Sequence, residues 1–548
     1  MTLEHTDSYK LSHKGFMVPG TTKIYSNLTA RSAKHLTVLH HRFDNKAVFF
    51  GLQSFIKEYL IGEWDRTFFT QPKKNVISKF KRLIDAYLGA GAVPMDHFEA
   101  LHDLGYLPIE IKALPEGSRV NIKVPLLTIT NTHPEFAWLT NYLETVMSCE
   151  LWKPITSATV IYEYRALVNE YALKTTGSLD FTMFQLHDFS FRGMSGRHDA
   201  AINGAAFLLS SCGTDTIPAI TLLEEFYNAD ATKEFIATSV PASEHSLACA
   251  GTAVAGEFES YVKWITEDYP TGIVSLVSDT YDYYHVLENY LPRLKPYILA
   301  RPTNAIGLSK VVIRPDSGNP ADIICGLKLL PGEFKTYGLE DDQAVLSDIV
   351  SNGYEVVKIG DTYHRIKVEQ SGVWLKYSLH GEVSAAEVKG SIELMWEIFG
   401  GTTTEQGYKV LDPHIGLIYG DGITLAVAED VFKRLESKKF ASTNVVFGVG
   451  SYTMNYNTRD SLGMAVKATY TEVNGKGYEL FKDPKTDSGM KKSARGLLRV
   501  EKEGTDFVLY DQQTIEQEQQ GELKTVFKDG ILLVETSLTE IRNRLWGV

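Results

Sequence analysis

At 548 residues the chain exceeds what one hydrophobic core usually serves, so two domains are expected. A composition of 44% hydrophobic and 22% charged residues, with 26 Phe, 28 Tyr and 7 Trp, excludes a disordered chain. The formal charge of −13, with no basic tract, argues against nucleic acid or an anionic membrane surface as a main partner.

Residues 1–180 mix helices with alternating strands. Leu107 to Leu114 and Val124 to Thr130 flank the turn signal Pro115-Glu116-Gly117-Ser118, which predicts a small antiparallel sheet, and Phe136 to Cys149 reads as an amphipathic helix. The four cysteines, Cys149, Cys212, Cys249 and Cys325, have no C-x-x-C or zinc-ligand spacing and read as reduced core thiols. A start without a signal pattern, and no apolar run near 18 residues, predict a cytoplasmic protein.

From about 183 the rhythm becomes strand, polar loop, helix. Candidate strands end at His187-Asp188-Phe189, Gly213-Thr214-Asp215, Ser239-Val240-Pro241, Val277-Ser278-Asp279, Arg314-Pro315-Asp316, Gly420-Asp421-Gly422, Gly448-Val449-Gly450 and near Lys467. Eight such units predict an α/β fold with an irregular (β/α)8-like barrel over 181–479, whose carboxyl-end loops form the site. A doubly wound open sheet is the alternative. A second, α+β domain is expected from 1–180 completed by 480–548, and a β-rich insertion at about 340–410. There, Tyr354 to Asp361 and Gly372 to Leu379 read as a hairpin. No dinucleotide or Walker-type glycine motif occurs.

The fifth strand carries the densest chemistry, Val311-Val312-Ile313-Arg314-Pro315-Asp316-Ser317-Gly318-Asn319-Pro320. Its apolar run reads as a strand buried on both faces, and Asn319-Pro320 as the start of a helix from Ala321 to Leu330. Arg314 can fork onto a phosphate, and Asp316 can accept from ribose hydroxyls or hold a metal through water. Asp188, Asp215, Asp279 and Asp421 follow other strands, and Arg192, Arg459 and Lys467 sit at comparable positions. Each acid serves equally as a helix cap when taken singly, Phe189 as core, and His245 as a cap or core histidine. Together they suit a sugar phosphate whose diphosphate travels as a magnesium complex.

The series Thr6-Asp7-Ser8-Tyr9-Lys10, Leu186 to Gly193, Gly213 to Thr216, Ser239 to Ser246, Val277-Ser278-Asp279, Ile313 to Pro320, Gly420-Asp421-Gly422 and Thr458-Arg459-Asp460 resembles the nicotinamide phosphoribosyltransferase family in order and spacing. The resemblance implies a type II phosphoribosyltransferase fold and a homodimer with shared sites. It also implies transfer from phosphoribosyl pyrophosphate to nicotinamide, giving nicotinamide mononucleotide and pyrophosphate, with Mg2+ and with ATP as a coupling co-substrate. Nicotinate as acceptor, or a non-catalytic binding or signalling protein of this fold, are the alternatives.

By the same resemblance, Phe189 and the partner chain's Tyr9 would sandwich the pyridine ring, and Asp215 would face the amide. Asp7, Arg192, Ser239, Ser275 and Arg314 would line the substrate, Asp316 would hold the ribose, and Asp279, Gly420, Asp421, Gly450 and Ser451 would surround the sugar phosphate. Arg31, Arg459, Lys467 and Lys482 would bring positive charge from the partner chain. His245 would be the phosphorylated residue, and magnesium held on the diphosphate would lie near Asp279, Asp316 and Asp421. Four positions depart from the family pattern: Ser451-Tyr452 replaces a glycine run, Phe191 replaces a tyrosine and Ala465 a serine.

Overall fold

The computed structural model describes residues 1–335, 343–482 and 494–547. Two sheets organise it. The larger is antiparallel and draws on both ends of the chain, with strands in the order Lys476–Glu479, Ala465–Val473, Thr21–Thr29, Pro125–Asn131, Ile109–Ala113, Lys524–Lys528 and Ile531–Leu532. The predicted pair is its centre, Ile111 opposite Ile129, both fully buried.

The second sheet is wholly parallel and runs Gly213–Thr214, Leu186–Asp188, Val445–Val449, Ile415–Tyr419, Ser309–Arg314, Gly272–Val277. Its two edges are spanned by the segment around Pro241, which bridges Gly213 through Thr238 and Ser275 through Ala242. Only isolated bridges form there; Pro241 has no N–H to give a ladder, though its carbonyl accepts from Ser275 at 2.8 Å. Seven of the expected strand ends therefore stand around one mouth. The eighth does not: Lys467 lies in Ala465–Val473, which pairs antiparallel with Thr21–Thr29 in the other sheet.

Several expectations change in detail. The helix expected from Phe136 to Cys149 is Trp138–Thr176, 39 residues long. It is apolar around much of its circumference because it is enclosed along its length. The Thr140 hydroxyl reaches the Ile24 carbonyl in the antiparallel sheet, and the Tyr164 hydroxyl meets Thr453 beside the parallel one. The helix after Asn319 stops at Cys325, where Gly326 takes φ 82°, and Leu329–Glu333 turns into a strand instead. That strand, Val356–Ile359 and the hairpin Thr362–Ser371/Trp374–Val383 form the inserted sheet, so the two stretches expected to pair as a hairpin are separated by Thr362–Ser371, which pairs with both, and Gly372 lies in the turn. Val311 and Ile313 are buried while Val312 is half-buried, so that strand is less enclosed than expected. All four cysteines are free, but Cys149 and Cys249 are exposed; only Cys212 and Cys325 are core thiols. Among the described residues, no helix is long and apolar enough to cross a membrane.

Candidate functional site

The loop after Ser309–Arg314 is fixed from three sides. Asp279 Oδ2 accepts the Asp316 N–H at 2.8 Å and the Ser317 hydroxyl at 2.6 Å. The buried Tyr419 hydroxyl reaches the carbonyls of Ser317 and Gly318 at 2.9 and 3.0 Å, and Gly318 takes φ 92°, a conformation in which a side chain is strained. Arg314 donates to the Ser243 carbonyl at 2.5 Å and keeps a second guanidinium nitrogen 3.8 Å from Asp316.

His245 opens the helix His245–Val254 and points at this loop. Its Nε2 lies 3.7 Å from Asp279 Oδ1 and 3.9 Å from Asp316 Oδ2, while Nδ1 is 3.3 Å from the Thr280 hydroxyl. Asp279 Oδ1 is itself buried without a hydrogen-bond partner among the described residues. Burial raises the Asp316 carboxyl above its ordinary value, Arg314 and His245 opposing and Asp279 and Asp421 adding to the rise. The neighbouring carboxylates of Asp279 and Asp421 thus disfavour charge on Asp316, which a cation or a hydroxyl donor would offset.

Across the mouth, the Phe189 ring packs closely on strand-end backbone. A Cβ on Gly448 would fall 2.2 Å from its ring, and one on Gly420 2.7 Å, so these two glycines make the ring's seat. Asp215, on the neighbouring strand end, accepts at one oxygen, Oδ1, from His187 Nε2 at 2.9 Å and from the Ser239 hydroxyl at 2.7 Å. Burial pushes its carboxyl up, but those two hydrogen bonds, with the charges of His187 and Arg314, outweigh it and hold the group below the usual carboxylate range. Ser275 Oγ is buried and without a partner among the described residues.

Asp188 is a correction. It does not face the mouth but is fully buried, accepting the Ser190 N–H at 2.8 Å and shaping the turn that presents Phe189 and Arg192; burial raises its carboxyl. Arg192 is exposed beyond that turn. Ser451 crowds Gly193, where a Cβ would fall 2.0 Å from Ser451 Oγ, and Asn455 donates to the Gly193 carbonyl at 2.6 Å. The departure from a glycine run thereby becomes a clamp on the Arg192 turn. A Cβ on Gly450 would meet nothing within 4 Å, and Asp421 is exposed. Phe191 is partly exposed, whereas Ala465 is buried opposite Thr29 in the antiparallel sheet.

The remaining predicted residues form a separate group. Tyr9 is 60% exposed, its ring 5.3 Å from His13 and 5.5 Å from Lys10 Nζ. Lys10 and Lys467 approach opposite oxygens of Glu144 at 2.8 and 3.7 Å, Arg31 donates to the Gly463 carbonyl at 2.9 Å, and Asp7 accepts from Thr145 at 2.7 Å. Burial lowers the Lys467 ammonium, with Glu144 opposing and Arg31, Lys10 and Arg459 adding to the fall. Arg459 is 3.6 Å from Asp460, and Lys482 stands at the edge of the described residues. His187, Ser317, Tyr419 and Gly448 were not singled out by sequence, since each acts through a contact distant along the chain. A group of three or more His, Cys, Asp or Glu side chains placed to hold a metal ion is absent among the described residues.

The chain is similar to known proteins over nearly its whole length. Residues 184–531 match the sequence model of the nicotinate phosphoribosyltransferase (NAPRTase) family, and residues 1–111 match the nicotinamide phosphoribosyltransferase N-terminal domain. The chain is 49% identical over 543 residues to nicotinamide phosphoribosyltransferase of Acinetobacter baylyi, covering 99% of this chain and 96% of that one. It is 31% identical over 490 residues to nicotinamide phosphoribosyltransferase of Mycoplasma pneumoniae, covering 88% and 92%. In fold alone it resembles the crystal structure of nicotinate-nucleotide pyrophosphorylase from Pyrococcus furiosus, with TM-score 0.50 at 12% identity, covering 100% of this chain and 94% of that one.

Proposed function

The chain belongs to the nicotinamide phosphoribosyltransferase family and is a phosphoribosyltransferase of NAD salvage, and we propose how its own residues move the phosphoribosyl group of 5-phosphoribosyl 1-pyrophosphate onto nicotinamide. The pyridine nitrogen attacks the anomeric carbon, the bond to pyrophosphate breaks, and nicotinamide mononucleotide and pyrophosphate leave. Charge builds at the anomeric carbon, so the protein's task is to position the reactants and stabilise that charge.

The observation that carries the choice of nicotinamide is Asp215, whose carboxylate is held ionised beside the Phe189 ring. It accepts from the amide NH2 and repels a carboxylate. Two like charges about 4 Å apart at an effective dielectric near 20 cost roughly 4 kcal/mol. Phe189 faces the ring as it becomes a pyridinium, a cation–π contact of about 0.5 to 2 kcal/mol. Asp316 takes the ribose hydroxyls, Arg314 lies along the ring and phosphate, and Asp279 holds the loop that carries both. Magnesium bound with the diphosphate would supply positive charge to the leaving group, and Asp279 Oδ1, which has no hydrogen-bond partner among the described residues, would hold its waters together with Asp316 and Asp421.

His245 accepts the γ-phosphoryl group of ATP. A bond forms from an imidazole nitrogen to phosphorus, ADP departs, and water later releases phosphate. The site is completed across a homodimer, Tyr9, Arg31, Arg459, Lys467 and Lys482 of the partner subunit meeting the barrel mouth. In support, Lys467 approaches Glu144 and Arg31 donates to the Gly463 carbonyl, both away from Phe189.

The test mixes the protein, magnesium and phosphoribosyl pyrophosphate with nicotinamide or with nicotinate and identifies the products by mass. Nicotinamide mononucleotide is expected from the first mixture. Product from nicotinate alone would make the protein a nicotinate enzyme, and none from either would make it a binding protein of this fold.

A further inference from the structure

Three adjacent strand ends converge on one carboxylate. His187 and Gly213 are register partners in the parallel sheet, Gly213 is bridged on its other side to Thr238, and Asp215 sits just beyond Gly213. The imidazole of His187 therefore approaches Asp215 from one flank and the Ser239 hydroxyl from the other, both donating to the same oxygen, Oδ1. Oδ2 has no hydrogen-bond donor among the described residues.

The seat of the imidazole is built. A Cβ on Gly213 would lie 2.8 Å from His187 Nδ1 and 2.6 Å from the Leu186 carbonyl, so any larger residue at 213 would displace the ring. The His187 side chain is 12% exposed, and its ring centroid lies 5.0 Å from that of Phe189. One imidazole thus touches both the wall on which an aromatic ring would stack and the acceptor that would read its substituent.

We propose that His187 is a positioning residue for recognition of the carboxamide: by holding Oδ1 of Asp215 it fixes the rotation of the carboxylate and leaves Oδ2 as a single aimed acceptor for an amide N–H. The proposal rests on the assignment of nicotinamide as substrate and deepens it. A carboxylate free to rotate meets the amide in many orientations and loses part of the charge-assisted bond. A carboxylate held by two donors keeps one geometry and also stays ionised. The groups that face it are His187, Ser239 and Arg314, and loss of His187 removes the strongest of the influences keeping its proton off.

The test compares the parent with His187→Leu, which removes the donor, and His187→Gln, whose amide nitrogen falls close to the position of Nε2. Rates of mononucleotide formation are measured over pH with nicotinamide, phosphoribosyl pyrophosphate and nicotinate each varied. In His187→Leu the KM for nicotinamide should rise about tenfold or more, the figure for one lost hydrogen bond to a charged group. The KM for phosphoribosyl pyrophosphate should stay within about twofold, the acidic limb of kcat/KM for nicotinamide should move to higher pH, and the preference over nicotinate should narrow. His187→Gln should recover most of the KM. An unchanged nicotinamide KM in the leucine variant overturns the proposal, as does an equal rise for both substrates that glutamine fails to rescue, which marks a merely structural residue. A parent that makes no mononucleotide from nicotinamide overturns the substrate assignment instead, and this inference with it.

Discussion

Asp279 reaches across from one strand end to the next and holds the backbone of Asp316, its Oδ2 taking the Asp316 N–H at 2.8 Å together with the Ser317 hydroxyl at 2.6 Å. The conformation of the Arg314–Asn319 loop thus depends on a carboxylate outside it. Asp279→Ala should release that loop and lower kcat/KM for phosphoribosyl pyrophosphate by about 100-fold, the scale of two lost charge-assisted hydrogen bonds. Asp279→Asn, which keeps one acceptor oxygen, should fall between. Steady-state rates with varied phosphoribosyl pyrophosphate decide it, with circular dichroism to show that both variants fold; an alanine variant at parental kcat/KM would remove Asp279 from the site.

His245 stands with Nε2 between Asp279 and Asp316, 3.7 and 3.9 Å away. A phosphoryl group on this ring adds charge and acceptor oxygens at the mouth and so changes affinity for the magnesium diphosphate. His245→Ala should lose ATP hydrolysis by at least about 100-fold while retaining some mononucleotide synthesis uncoupled from ATP. Phosphate release and mononucleotide formation, followed in one reaction, separate the two activities. Undiminished ATP turnover in the variant would exclude His245 as the acceptor.

Which parts of this site could be read from sequence follows from how local each signal is. Strand ends at Asp215, Asp279, Asp316 and Gly420 were legible because a short apolar run breaks into a polar, glycine-bearing loop within a few residues. The strand at Lys467 gave a similar signal but pairs across about 440 positions with Asn27, a partner that no local pattern reveals. Asp188 and His187 are adjacent in a strand and so point to opposite sides, His187 to Asp215 and Asp188 inward to Ser190. Sequence alone gives the alternation but not which side is the mouth, so it does not separate the histidine from the acid. Ser239-Val240-Pro241 reads as a strand end, yet Pro241 limits it to isolated bridges.

Away from the mouth, the fully enclosed Glu116 holds the start of the Leu52–Phe55 helix. Its carboxylate accepts the Gly51 and Gln53 N–H groups at 2.8 and 2.6 Å and the Tyr227 hydroxyl at 3.0 Å. Burial outweighs these bonds and the nearby Arg544, and pushes the carboxyl up to about 7. Between about pH 4.3, the unfolded value, and about 7 the folded chain keeps a proton that the unfolded chain releases. This contribution is therefore full below about 4.3, is lost as pH rises, and amounts to roughly 3 kcal/mol. Thermal unfolding from pH 5 to 8 should show the parent losing stability as pH rises. Glu116→Gln should start lower, because its amide NH2 faces backbone donors, but show a flatter slope. Glu163, also pushed up to about 7 by burial and Asp44 against the charges of Arg119 and Arg42, leaves a residual slope in the same direction. A Glu116→Gln protein with the parental slope would exclude Glu116 as its source.

Tyr9 and Asp316 belong to different groups of residues in one chain, Tyr9 beside His13 and Lys10, Asp316 beside Asp279 and His245. If two chains complete each other's sites about a two-fold axis, each site takes Tyr9 from one chain and Asp316 from the other. Tyr9→Ala and Asp316→Ala homodimers should then each be nearly inactive, since every site lacks one part. After subunit exchange in equal amounts, about half the dimers are hybrids, and each hybrid has one site with both residues intact and one with neither. Activity should return to about a quarter of the parental level. Light scattering establishes the dimer, and differently tagged chains verify that exchange has occurred. A chain acting alone has no route to such recovery, because no single polypeptide in the mixture carries both residues. Verified hybrids that stay at the activity of the separate variants would show that Tyr9 serves the site of its own chain.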